Sequence, residues 1–229
     1  MLQPSTILLA GITGLISGLL LSMPIGPVNL SIINEGACRG FVRGMLVGLG
    51  ASVMELIYCT IAFTGFSSFF DDRVVKASME VFSFTFLLFL GAKFLTAKTA
   101  AAPTQLGATA GRIEARVGQK FHPHSAFMTG FVRVLGNFGV LLFWIVLAAN
   151  FMSHDWVADT FVAKTACIGG VAVGTNLWFC VLSFGVSRGH GRFSESTLVR
   201  MQHISGLCLI AVGLFDGGHI VWQLAKHKI

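Results

Sequence analysis

The sequence predicts an all-α integral membrane protein: six transmembrane helices arranged as two inverted three-helix repeats, with the first helix broken at Pro24–Pro27. Three observations carry this reading. Of 229 residues, 54% are hydrophobic and only 11% are charged, where a soluble domain carries roughly 25% charged residues. The apolar residues fall in continuous runs, without the alternation of a transmembrane β-barrel. Six such runs occur, and one long polar connection divides them three and three.

A span needs about 20 mostly apolar residues. The stretches 6–33, 44–70, 74–96, 125–150, 161–187 and 197–223 qualify. The first repeat is then 1–96 and the second 125–229. The connection 97–124 is rich in Ala, Gly and Thr and carries Lys98, Arg112, Arg116 and Lys120, as a polar cytoplasmic linker would. Eleven of the 16 Lys and Arg fall on the side reached by the loops after spans one, three and five. Positive residues mark the cytoplasmic side, so both termini are expected outside the cytoplasm.

Three spans per half oblige the second half to enter from the opposite face, so any likeness between halves is an inverted repeat. An offset of 120 residues pairs Phe41-Val42 with Phe161-Val162, Gly50 with Gly170, Tyr58 with Trp178 and Gly65 with Gly185.

The net charge of +6 and pI near 9.4 follow from the cytoplasmic loops. Nucleic acid is not an expected partner, because no basic patch is interleaved with aromatics. The N-terminus lacks a positive n-region and its apolar run is too long for a cleavable signal. The five cysteines (38, 59, 167, 180 and 208) form no CxxC, against both a disulfide framework and a zinc site. Neither a metal nor another cofactor is expected. With no nucleophile–base arrangement and no phosphate loop, neither is an enzyme.

Two of the chain's five prolines stand three apart in Ser22-Met23-Pro24-Ile25-Gly26-Pro27-Val28-Asn29. Proline removes a backbone donor and clashes with the preceding turn, so a helix through here kinks or breaks. In a membrane such a break survives only where protein or a wet cavity takes up the freed polar groups. Pro24, Gly26, Pro27 and Asn29 are therefore candidate substrate-binding residues.

Glu55 is the only charge between Gly44 and Phe70, and a mid-span carboxylate is a functional candidate by default. At 1.5 Å per residue, Pro24, Glu55, Arg133, Asn137 and Asn176 lie about 12–18 Å from their cytoplasmic ends, in one layer near the midplane. Asn137 and Asn176 fit interhelical hydrogen-bond glue as well as a site. Arg133 fits snorkelling to the cytoplasmic face as well as charge coupling. Trp144 and Trp178 fit packing or a cavity wall. Asp216, His203 and His219 read as helix-end, interfacial or core residues, not as ligands.

The run Pro24-Ile25-Gly26-Pro27-Val28-Asn29, the glycines 36, 40 and 44, and Gly50-x4-Glu55 ten residues before Gly65 resemble the LysE-type amino-acid exporter family. Asn137 stands where that family has an Asn-Pro motif, and Thr175-Asn176-Leu177-Trp178-Phe179 where some members have a polar-aromatic stretch. The likeness covers nearly the whole chain. It implies a secondary exporter of amino acids or related small metabolites from the bacterial cytoplasm, in the inner membrane, driven by proton or ion antiport. The site would comprise Pro24, Gly26, Pro27, Asn29, Glu55, Asn137, Asn176 and Trp178, with Glu55 and Arg133 in coupling. Backbone freed at Pro24–Pro27, with the Asn29 amide, would hold the substrate's polar ends. Glu55 would carry the coupled proton or face the substrate's ammonium.

Two positions depart from the family: Glu stands at 55 where Asp is usual, and Phe138 replaces the proline of span four. The second leaves the partner break in span four degenerate, so the expected site is asymmetric. Alternative functions are a metal-ion or thiol-reductant carrier of the same superfamily, or a non-transporting assembly factor. Clustered metal ligands are lacking, and Cys59 and Cys180 differ in depth by about 12 Å. A C2 homodimer is the default assembly.

Overall fold

The computed structural model describes residues 4–24, 26–65, 73–96, 125–188 and 195–226. The linker 97–124 lies outside the described residues, as do Ile25 and the side chains of Glu80, Asp216 and His219. Helix α1 spans Pro4–Ser22, α2 Pro27–Arg39, α3 Phe41–Gly65, α4 Arg73–Leu95, α5 Ala126–Leu135, α6 Phe138–Ser153, α7 Phe161–Arg188 and α8 Glu195–Lys226. No strand occurs among the described residues.

The described parts of the six apolar stretches are helical apart from residues 23, 24 and 26 in the first, 136 and 137 in the fourth, and the end residues 96 and 125. Among the described residues α1, α3 and α7 are each long and apolar enough to cross a membrane, and α5 with α6 would do so as a bent pair. Their outward faces are apolar: Leu8, Ile12 and Ile16 on α1, Val53, Ile57 and Ile61 on α3, and Val173, Leu177 and Val181 on α7 are exposed. Exposed apolar surface on this scale marks a lipid-facing protein. The chain is a multi-pass membrane protein.

The first span breaks where the prolines stand. Helix α1 ends at Ser22, and α2 restarts with Pro27 at its first turn and Gly26 as N-cap. Proline is suited to that position, since its missing N–H would have found no intrahelical partner. Helix α2 ends at Gly40, whose φ of 85° is open to glycine and strained for other residues. The chain therefore turns at once into α3.

Span four departs from expectation. It breaks without proline, and α5 and α6 meet at a bend of 67°. Gly136 stays helical and bonds back to Val132 and Val134, but Asn137, at φ −101° and ψ 80°, leaves the helix. The carbonyl of Leu135, freed by that step, accepts a hydrogen bond from Tyr58 Oη at 2.8 Å. A long-range phenol replaces the family's local device, so the second half is not degenerate in this respect.

Helices meet through glycine. A Cβ added at Gly14 or Gly18 of α1 would strike the backbone of Cys167 or Val171 in α7. A Cβ at Gly170 or Gly174 of α7 would strike Gly11 and Leu15, or Leu15 and Leu19, of α1. This register makes α1 and α7 parallel neighbours. In the same way Gly50 of α3 abuts Phe127 and Phe131 of α5, and Gly130 of α5 abuts Val47 and Ala51 of α3. Gly91 of α4 and Gly206 of α8 lie on each other's backbone, and Gly217 further along α8 meets Phe84, so this pair is antiparallel. With lipid as apolar as leucine, close backbone contact of this kind holds membrane helices together.

Candidate functional site

The site is built on α3 and α7, which cross the middle of the bundle in opposite directions. Gly48 packs on Phe179, Phe41 meets Phe184 edge-on, and Ser52 faces Asn176. The polar groups along this seam are spaced one helical turn apart.

Asn176 Nδ2 donates to Ser52 Oγ and to the Ala172 carbonyl, both at 2.8 Å. Three residues past Ser52, Glu55 Oε2 lies 3.5 Å from Thr175 Oγ1. The same hydroxyl lies 3.4 Å from the Gly18 carbonyl on α1. Three residues further along α3, Tyr58 reaches the end of α5. One stretch of α3, Ser52–Tyr58, thus touches the α5–α6 break directly and, through Thr175, the last turn of α1 before the other break.

At the first break the freed carbonyls are taken up by a side chain. Asn29 Nδ2 donates to Ser22 O at 2.8 Å and to Pro24 O at 2.7 Å. Both protons of the amide are used on the backbone, and its oxygen is the end left over. Asn29 Oδ1, Asn176 Oδ1 and Trp178 Nε1 are buried and have no hydrogen-bond partner among the described residues. Groups of this kind each require an explanation in a native structure. Asn29 Oδ1 and Asn176 Oδ1 can each accept from an N–H donor, and Trp178 Nε1 can donate to an anionic or carbonyl oxygen.

The sequence matches the LysE type translocator family over residues 19–215. The chain belongs to this family. A relative from Bacillus subtilis (strain 168), "Putative amino acid efflux protein YcgF", is 26% identical over 210 residues, covering 92% of this chain and 96% of that protein. No solved structure matches the chain significantly.

All the candidate site residues of this translocator lie inside the matched region. The structure places Glu55 and Asn176 on the α3–α7 seam, Trp178 buried on α7, Pro24, Gly26, Pro27 and Asn29 at the first break and Asn137 at the second. Arg133 sits half-buried three residues from the second break. Trp144 is buried in the core, and Lys93 lies in the last turn of α4. Among the described residues no three His, Cys, Asp or Glu side chains come together as a metal site.

Thr175, Ser52, Ser22 and Tyr58 were not singled out for the site from sequence. A signal for Tyr58 existed: it is the one phenol in a translocator with 21 phenylalanines. Thr175 could have been found from the repeat offset, which pairs it with Glu55.

Proposed function

We propose that this protein is a secondary active exporter of amino acids or related small metabolites, driven by proton or ion antiport across the bacterial inner membrane. The observation that carries this reading is the position of Glu55. The carboxylate stands mid-span, within one turn of the tyrosine bound to one helix break and one hydroxyl away from the helix leading to the other. Helix breaks at membrane depth are where transporters place substrate and coupling-ion sites. The printed name of the Bacillus subtilis relative, an amino acid efflux protein, supports the substrate class.

The substrate is held as a zwitterion. Trp178 Nε1 donates to its carboxylate, Asn29 Oδ1 and Asn176 Oδ1 accept from its ammonium, and backbone freed at Pro24–Pro27 and at Asn137 supplies further partners. Glu55 carries the coupled proton, with Arg133 in coupling. The protein acts as a carrier and not as an enzyme, and it needs no cofactor.

The proposed architecture is six spans in two inverted halves, 1–96 and 125–229, joined by a cytoplasmic linker at 97–124, with both termini outside the cytoplasm. The glycine contacts support it. Gly50 meets Phe127 and Phe131 as Gly170 meets Gly11 and Leu15, and Gly130 meets Val47 as Gly14 meets Cys167. Residues 50 and 170, and 47 and 167, share the 120-residue offset of the repeat, so one contact is used twice. Glu55 and Thr175 share that offset and face each other, as equivalent residues do beside an axis relating two halves. Parallel α1 and α7 with antiparallel α4 and α8 fit the same topology. Two copies assemble as a C2 homodimer.

The test is efflux from proteoliposomes loaded with single amino acids under an imposed proton gradient, comparing wild type with Glu55→Gln. Gradient-driven export by wild type that collapses in Glu55→Gln is expected. Undiminished export by the neutral variant would remove Glu55 from coupling.

A further inference from the structure

The hydroxyl of Thr175 has one proton and two acceptors. It is 1% exposed, 3.5 Å from Glu55 Oε2 on α3 and 3.4 Å from the Gly18 carbonyl on α1. An O–H···O hydrogen bond closes at about 2.7–2.8 Å, so the hydroxyl stands between the two and is committed to neither. Most other hydroxyls on the described helices behave differently. Thr60, Thr64 and Thr165 each donate to the carbonyl four residues back, at 2.7 Å. Thr175 makes no such bond, and its hydroxyl is left available to two other helices.

We infer that Thr175 is a positioning residue that reports the protonation state of Glu55 to the last turn of α1. The inference rests on Glu55 being the proton carrier of the proposed transport reaction. With Glu55 ionised, its oxygens only accept, and the Thr175 proton turns towards the carboxylate in a charge-assisted bond. When Glu55 takes up a proton it becomes a neutral acid with an O–H of its own. It then donates to Thr175 Oγ1, and the Thr175 proton is released to the Gly18 carbonyl. One proton is gained, the hydrogen bond between α3 and α7 is kept with its donor reversed, and a hydrogen bond between α7 and α1 is added.

The receiving carbonyl is well placed. Gly18 O already accepts from Ser22 Oγ at 2.7 Å, and Ser22 O accepts from Asn29 at 2.8 Å. Gly18, Ser22 and Asn29 therefore link the last turn of α1 to the first turn of α2 across the break. A bond made or broken at Gly18 acts on the end of the helix that the break leaves without continuation.

Few other groups can answer to pH here. Cys59 on α3 and Cys167 on α7 are buried thiols near Glu55 and near each other. Helix α5 carries Arg133, and α2 carries Glu35, Cys38 and Arg39 towards its far end. Helices α1 and α6 carry no titratable side chain.

The test reads the break without requiring transport. A nitroxide is attached at Gly26→Cys, a position where an added Cβ meets nothing within 4 Å, in full-length protein whose exposed Cys38 is replaced by Ser. Spin-label mobility is recorded in lipid vesicles across the pH range in which the protein stays folded. The ratio of mobile to immobile label is expected to change roughly fivefold between the pH limits, the population shift that one ordinary hydrogen bond can produce. Glu55→Gln, whose amide donates as the neutral acid does, holds the low-pH ratio throughout. Thr175→Val abolishes the shift, and Thr175→Ser retains it. A shift that persists in Thr175→Val but not in Glu55→Gln overturns the relay, and so does a pH-independent wild type. Efflux is measured in vesicles of the same lipid that hold unlabelled protein with Gly26 intact. If Glu55→Gln exports normally, the transport reading falls, whatever the label reports.

Discussion

Tyr58 donates its phenolic hydroxyl to the carbonyl of Leu135 at 2.8 Å, joining residues 77 apart in the chain. The bond satisfies the carbonyl at which α5 stops, just before span four bends. Three residues earlier on the same helix, Glu55 faces Thr175. Helix α3 thus links the two interrupted spans, and its polar side chains are spaced so that each serves a different interruption. The seam between α3 and α7 is where a change at one break can be felt at the other.

Removing the phenol tests this directly. Tyr58→Phe keeps the ring and its packing but leaves a carbonyl at membrane depth without its donor. Such a loss costs about 1–3 kcal/mol. Thermal unfolding in detergent is expected to shift downward by several degrees, at about 2–4 °C per kcal/mol for a chain of this size. An unchanged midpoint would mean that water or another group satisfies Leu135 equally well.

Asn29 has the corresponding duty at the first break, where its amide nitrogen holds the carbonyls of Ser22 and Pro24. Asn29→Asp replaces the two donated protons with an acceptor facing two acceptors. It is expected to be worse than Asn29→Ala, which only deletes the bonds at about 1–3 kcal/mol. The order of unfolding midpoints, wild type above alanine above aspartate, is the measurement. Aspartate equal to wild type would show that this amide does not hold the break.

The spans and the first break were legible because their causes are local. Apolar length reports a span, and Pro24 with Pro27 reports a break, whatever the rest of the chain does. The break at Gly136–Asn137 was not legible, because Phe138 removes the local signal and the compensating bond comes from Tyr58 on another helix. Thr175 was hidden for a related reason. A threonine at membrane depth usually satisfies itself on the carbonyl four residues back, as Thr60 does, and only tertiary structure reveals one that does not. Asn29 and Glu55 were visible as candidates. That the Asn29 amide would be spent on backbone, leaving its oxygen over, depends on how the chain closes around the break.

Glycine contacts supply an internal control one residue wide. In α7 an alanine at Gly170 would drive its Cβ into the backbone of Gly11 and Leu15, whereas at Gly169 it would meet nothing within 4 Å. Gly169→Ala is expected to be neutral or stabilising by up to about 1 kcal/mol through helix propensity. Gly170→Ala must push α1 and α7 apart and is expected to lower the unfolding midpoint by several degrees, at about 1–3 kcal/mol for overpacking. Equal midpoints for the two variants would show that α1 and α7 do not meet along this face.

Glu55→Asp separates the charge of residue 55 from its reach. The carboxylate is kept but shortened by one methylene, and its contact with Thr175, already 3.5 Å long, opens further. If the charge alone mattered, export would be unchanged. With the contact required, initial efflux rates are expected to fall roughly fivefold, the cost of one ordinary hydrogen bond, while staying above those of Glu55→Gln. The double variant Glu55→Asp, Thr175→Val completes the cycle. Two residues acting through one shared bond should lose it once, so the double variant is expected to be no slower than Thr175→Val alone. Losses that multiply would show that Glu55 and Thr175 act independently, and would leave the hydroxyl without a part in transport.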